Sequence, residues 1–277
     1  MICPATYKRP GKIPLRFWAG FPIVKGRQIF IKPNLVMPPT IYESASCTRI
    51  EVVRLVIEKC LSEGAEPGNI VVGDCGFKDQ WELTMECSGY RSLETDYGVK
   101  VICVQEGENY HKYTLHRIPG YMSLFGIKIS DFVLNADVVI DVPKMKIHNT
   151  AGITGAIKNM MGVISPKGSM HPNGSAVILH KRLRDLYTLM RSRVGFIVVD
   201  AIEGSEYAEC GGIPVVSNVL VSGTDMWEVD CILAQLMGIN PVEIQYLEYI
   251  RTKDKGGVAF PKVPVVNKPA IITYERR

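Results

Sequence analysis

Residues 137–162 read DVVIDVPKMKIHNTAGITGAIKNMMG. The opening DVVIDV, Asp137 to Val142, is a short, nearly continuous apolar run of β-branched residues. Such a run is what a strand covered on both faces inside a parallel sheet requires. Pro143 ends it. Lys144, Lys146 and His148 follow at alternate positions, and in extended chain alternate side chains point the same way. The spacing then predicts a turn at Asn149 and a helix over Thr150 to Met161, closed by Gly162. On that helix Lys158 lies four residues after Thr154, so the two share a face. Unpaired N–H groups at the helix start, two hydroxyls and several basic heads would gather at a strand's carboxyl end. That is where ligands bind in open α/β sheets, and the gathered groups suit an anion. Lysines near a strand end are ordinarily solvated, so the joint pattern carries this reading.

The pattern repeats to either side. Gln28 to Val36, Asn69 to Asp74, Gly98 to Val104, Phe196 to Asp200 and Val215 to Val221 have strand character. Between them, Thr48-Arg49-Ile50-Glu51 has the form of a capping box opening an apolar-periodic helix that Gly64 stops. Ser130 is placed to cap a short helix over Asp131 to Ala136. Ser175 to Arg193 is a long amphipathic helix. Asp225-Met226-Trp227-Glu228 is a second capping box, with its helix ending at Gly238, and Asn240-Pro241 opens another. A last weak strand is expected at Ala270 to Tyr274. Strands alternating with helices give an α/β class: a mostly parallel, mixed sheet with helices on both faces. The division expected is an N-terminal extension over 1–25, a core over 26–250 and a tail over 251–277. The core suits one unit, or two lobes (26–140 and 141–250) around a cleft.

Composition narrows the partners. Hydrophobic residues make up 47% and charged residues 22% of 277, too apolar for a disordered chain. The net charge of +4 comes from 32 basic and 28 acidic residues with no basic tract, which argues against nucleic acid. The longest stretch free of Asp, Glu, Lys and Arg is Cys210 to Thr224, 15 residues long, short of the ~20 that a membrane span needs. The N-terminal segment lacks a signal-peptide pattern. The eight cysteines lie at least 12 positions apart, so no local iron–sulfur or zinc motif is present. Scattered thiols suit the cytoplasm.

Other strand ends supply further candidates. Lys32-Pro33-Asn34 ends the first strand. Asp74 ends the second, as an acid/base, a binding carboxylate or a cap of the next turn. Asp200 ends a later one. His180 sits on a leucine-rich helix and reads as packing. His171, in the loop Pro166 to Gly174, suits a lid.

The KPN strand end, the Gly-Asp strand end, VPKMKIH…TGAIKNMMGV, VVDAIEG and SGTDMWEVDCILAQLMGINP occur in this order. Over about residues 26 to 250 the chain resembles the family known as domain of unknown function 362. Members of that family often carry a ferredoxin-like iron–sulfur module, so the resemblance implies redox chemistry for some of them. The cysteine spacing here lacks that module. The resemblance puts Lys144, Lys146, His148, Thr154, Lys158 and Asn159 on the family's central motif, and Asp225 and Asp230 on a second one. It also departs from the family after Thr48, where Arg49-Ile50 stands in place of a His-Pro.

The reading that follows is a cytosolic enzyme for a small carboxylate or phosphate. Lys32, Asn34, Lys144, Lys146, Thr154 and Asn159 would bind it. His148 would transfer the proton, Lys158 would neutralise developing charge, and Asp74 would assist. Asp230 and Asp200 would hold the lysines from behind. Redox chemistry would need a separate electron donor. The alternative is a non-catalytic anion-binding protein, or a maturation or electron-transfer partner of a metalloenzyme. A metal held by His148, His171 and a carboxylate is a third reading, although the spacing is no metal motif.

Overall fold

The computed structural model describes residues 3–6, 13–39, 44–76, 78–104, 113–117, 120, 122–124, 126–165, 167–171, 174–210 and 212–263. Its elements are β1 (Cys3–Thr6), β2 (Ile29–Pro33), α1 (Ile50–Ser62), β3 (Ile70–Asp74), α2 (Trp81–Ser88), α3 (Ser92–Tyr97), β4 (Lys100–Cys103), β5 (Tyr113–His116), β6 (Ile127–Ser130), α4 (Asp131–Asn135), β7 (Val138–Val142), β8 (Lys144–His148), β9 (Gly152–Thr154), α5 (Ala156–Asn159), β10 (Ile164–Ser165), α6 (Ala176–Met190), β11 (Val194–Glu206), β12 (Ile213–Gly223), α7 (Met226–Leu236) and α8 (Gln245–Lys253). The strand expected at Ala270 to Tyr274 lies outside the described residues.

Among the described residues nine strands form one mixed sheet in the order β1-β12-β11-β7-β2-β3-β4, with β8 beside β11 and β9 beside β8. The run from β11 through β7, β2 and β3 to β4 is parallel. The pairings β1–β12, β11–β12 and β8–β9 are antiparallel. A small antiparallel sheet, β10-β6-β5, stands apart.

Side-chain alternation along the strands creates two cores. Phe30, Val139, Ile197, Val199 and Val221 pack with residues of α5 to α8. Ile29, Ile31, Ile140, Val198 and Leu220 face the other way, toward α1, α2 and α3. Helices therefore cover both faces. On α1 the buried residues are Val52, Val53, Val56, Ile57 and Cys60, the i, i+3, i+4 stripe that its sequence spells out. Each large apolar side chain so buried contributes about 1.5–3 kcal/mol.

The strand order positions the site. From β2 the chain moves outward through β3 to β4, then returns to place β7 on the opposite side of β2. This reversal opens a crevice at the carboxyl ends of β2 and β7. Pro143 marks a break rather than an exit. β7 pairs with the first part of β11, and β8 continues beside β11 further along, Asp200 opposite Lys144.

Three local expectations are corrected. Residues 150–155 are not helical: β8 and β9 form a hairpin, Lys146 opposite Thr154 and His148 opposite Gly152, and only Ala156–Asn159 is α-helix. Gly152, at φ +87°, makes the turn that a helix would forbid, and β-branched Ile153 and Thr154 favour the strand. Thr48 does not cap α1; its hydroxyl donates to Val142 O (2.7 Å) and accepts from Asn34 N (2.9 Å), stitching β2 to β7. Ser130 precedes α4 without a capping bond from its side chain.

Candidate functional site

A cavity of about 180 Å³ opens at the crevice, lined by Asn34, Val36, Asp74, Lys146, His148, Thr154, Lys158, Asn159, Met161, Gly162, His171, Glu209 and Cys210. Lys146 and His148 reach it because they alternate along β8, as their spacing predicts. Thr154 faces it from β9, and Lys158 and Asn159 from α5. Asn34 follows β2 directly, and Asp74 is the last residue of β3.

Three lysines here are fully buried, and each meets different partners. Lys32 Nζ lies 2.6 Å from Asp74 Oδ1 and donates to Pro33 O (2.7 Å) and Asn159 Oδ1 (3.4 Å). Lys144 Nζ lies 2.9 Å from Asp200 Oδ2. Lys146 Nζ donates to Asn34 Oδ1 (2.7 Å) and Ser46 O (3.1 Å), both uncharged, and has no carboxylate within ion-pair distance among the described residues. Burial pushes the Lys146 ammonium down to about 8, with Lys144 adding to the shift. Lys32 and Lys144 are thus internal ion pairs that do not line the cavity. Their expected role as ligand-binding groups is replaced by a structural one.

Asn159 links the cavity to the sheet. Its Oδ1 accepts from Asn34 Nδ2 (3.0 Å), and its Nδ2 donates to Lys32 O (3.1 Å) and Asp141 Oδ1 (2.7 Å). Asp141 Oδ2 is buried without a partner, and burial drives this carboxyl well above the usual range. Thr154 Oγ1 is also buried and unpartnered, at the cavity itself. A buried hydroxyl left unmet costs about 1–3 kcal/mol, so this one is available to a ligand.

His148 differs from the expected proton carrier. Its Nδ1 accepts from Thr150 N (3.1 Å) and Ala151 N (3.0 Å), which places the ring proton on Nε2, 3.4 Å from Glu209 Oε1. Burial, with Lys158 and His171 adding to it, holds the ring down to about 2. His148 is therefore a neutral donor, and its hairpin turn takes the nitrogen that a base would use. Asp74 lines the same cavity. Besides Lys32, its oxygens accept from Leu35 N (2.6 Å) and Cys75 N (2.7 Å), so it ties β3 to the loop after β2.

Asp200 grips Lys144, Arg49 N (2.8 Å) and Ile202 N (3.2 Å). Among the described residues Asp230 grips no lysine. It accepts from Ala156 N (2.6 Å), Ile157 N (3.2 Å) and Tyr246 Oη (3.0 Å), so the α7 carboxylate caps α5 from below. Burial raises it to about 7. His180 accepts from Tyr246 N and stacks on the Tyr246 ring, a packing role as expected. Within the loop Pro166 to Gly174, Pro166, Pro172 and Asn173 lie outside the described residues, while His171 lines the cavity and stacks at 6.2 Å on His148.

Sequence reasoning missed Glu209 and Cys210, which come from the connection between β11 and β12 and carry no motif. It also took Gly162 for a helix stop. A Cβ there would stand 2.7 Å from Lys32 Nζ and closer still to Asp74, so the glycine makes room for that ion pair. Among the described residues no three His, Cys, Asp or Glu side chains gather as a metal set. The metal reading finds no donor set among the described residues.

A family profile, domain of unknown function 362, matches residues 29–235. No curated protein matches the chain. Among solved structures, the lactate racemase apoprotein from Thermoanaerobacterium thermosaccharolyticum superposes with a TM-score of 0.52 at 10% identity, over 84% of this chain and 54% of that one. A Thermotoga maritima protein from structural genomics gives 0.41 at 12% identity, over 69% of this chain and 49% of that one. The chain thus spans about half the length of these structures. At 10% identity the likeness to the lactate racemase apoprotein is one of α/β fold alone. No helix among the described residues is long and apolar enough to cross a membrane.

Proposed function

This chain belongs to the domain of unknown function 362 family, and from that premise we propose that it is a cytoplasmic enzyme binding a small anionic metabolite, carboxylate or phosphate, in the cavity at the ends of β2, β3 and β8. The observation that carries the reading is Lys146. A buried ammonium whose partners are all uncharged is costly, and a ligand anion in the cavity would be its counter-charge. Lys158 supplies a second cation, and the Thr154 hydroxyl and the His148 Nε2–H supply neutral donors. The cavity is several times the ~30 Å³ share of one water, which suits a metabolite and not a polymer. Near neutrality Lys146 can also give up or take a proton, so it replaces His148 as the proton-transfer group in this reading. Seven described cysteines stand outside any disulfide, in keeping with a reducing compartment.

The test is calorimetric titration with matched pairs, a carboxylate against its amide. The carboxylate should bind, and Lys158→Ala should weaken it about tenfold, the ~1.4 kcal/mol scale of a charged contact. Amides binding as tightly as carboxylates would overturn the proposal.

A further inference from the structure

The acceptors around the buried lysines can be counted against the donors that each charge state presents. An ammonium has three N–H donors, and Lys32 finds three acceptors. Lys146 finds two, Asn34 Oδ1 and Ser46 O. A neutral amine has two N–H donors and one lone pair, so those acceptors satisfy it completely. The fourth tetrahedral position is left to the cavity that Lys146 lines. From this geometry we infer that Lys146 is a nucleophilic amine that forms an imine with the carbonyl of a small 2-oxo acid. The inference deepens the anion-binding reading and rests on it: the Lys146 ammonium and Lys158 draw the carboxylate in, and the amine that Lys146 becomes on giving up its proton takes the carbonyl carbon.

The step balances without an oxidant or reductant. The Lys146 lone pair forms the N–C bond as the C=O π pair moves to oxygen. One amine proton passes to that oxygen, and the Thr154 hydroxyl, buried and unpartnered at the same cavity, can accept one proton while giving another. The C–O bond then breaks, the second amine proton leaves with the oxygen as water, and C=N remains. Supply of the free base is favoured as well. With its ammonium at about 8, Lys146 presents on the order of a few hundredfold more amine at neutral pH than an ordinary lysine.

The full chain is incubated with glyoxylate, pyruvate or 2-oxobutanoate and sodium cyanoborohydride, and the modified lysine is mapped by peptide mass spectrometry. The expected product is a secondary amine on Lys146, heavier by the oxo acid less one oxygen atom. Its occupancy should be about tenfold or more above that of any exposed lysine. Propanoate, which has the carboxylate but no carbonyl, should suppress it. Lys146→Arg should lose the adduct while the background labelling of the exposed lysines stays as it was. Calorimetric binding of an oxo acid with Lys146 labelled no more than exposed lysines overturns the imine and leaves the anion reading standing. Absence of binding by every oxo acid and by propanoate, with Lys146 unlabelled, overturns both.

Discussion

Lys146 and His148 are both buried on β8, and their titration is the most direct check on the site. Lys146 has a folded value of about 8 against 10.5 for the free side chain. Between those values the unfolded chain binds more protons, so stability should rise with pH across that window, by up to about 3 kcal/mol. Below it both states are protonated and the gain is absent. Denaturant midpoints of wild type and Lys146→Met from pH ~7 to ~10.5 should diverge accordingly; parallel curves would refute the depressed lysine. His148 should stay neutral, its proton on Nε2, from about pH 5 to 8 by nitrogen-detected NMR, and a titration there would restore it as a base. Gly162→Ala should destabilise by about 1–3 kcal/mol, since the Lys32–Asp74 pair must shift. The alternation of Lys144, Lys146 and His148 was legible in the sequence. Which lysine would be left without a carboxylate was not, because Asp74 and Asp200 reach Lys32 and Lys144 only through the strand order.

Elements whose ends carry their own chemistry were readable. Asp225 Oδ1 accepts from Trp227 N (2.9 Å) and Glu228 N (3.1 Å), and Ser175 accepts from Ile178 N, as their positions ahead of apolar helices imply. Asp225→Ala should cost about 0.5–2 kcal/mol in chemical denaturation. Loss of its ion pair to Lys255 should add little at a partly exposed site, and anion affinity should not change. The hairpin over 144–154 was misread as strand and helix, because apolar residues at 151, 153, 156 and 157 mimic a helical period. The two glycines and the Ile-Thr pair between them were the contrary signal, and they decide the outcome because β8 is already held in the sheet by β11. Asp230 shows a different failure. Its helix was placed correctly, but its partners lie on α5 and α8, and no local pattern encodes a carboxylate of one helix capping another.

At the scale of the whole molecule, alternation of strand and helix sufficed for an α/β sheet covered on both faces, as the two cores show. The reversal of strand order at β2 was beyond sequence reasoning, since it depends on which edge the returning chain joins. The site's bonds inherit that topology: Lys146 to Asn34 spans 112 positions, Asn34 to Asn159 spans 125, and Lys32 to Asn159 spans 127. Contacts of such separation are paid for in loop entropy before they return anything, so they slow folding and tend to close late. The polar chain through Asn159 therefore has a kinetic meaning besides its chemical one. In stopped-flow experiments Asn159→Ala should speed unfolding while leaving the refolding limb nearly unchanged, the behaviour of a contact formed after the rate-limiting barrier. Slowed refolding would instead make Asn159 part of the nucleus, with the pocket assembled before the sheet is complete.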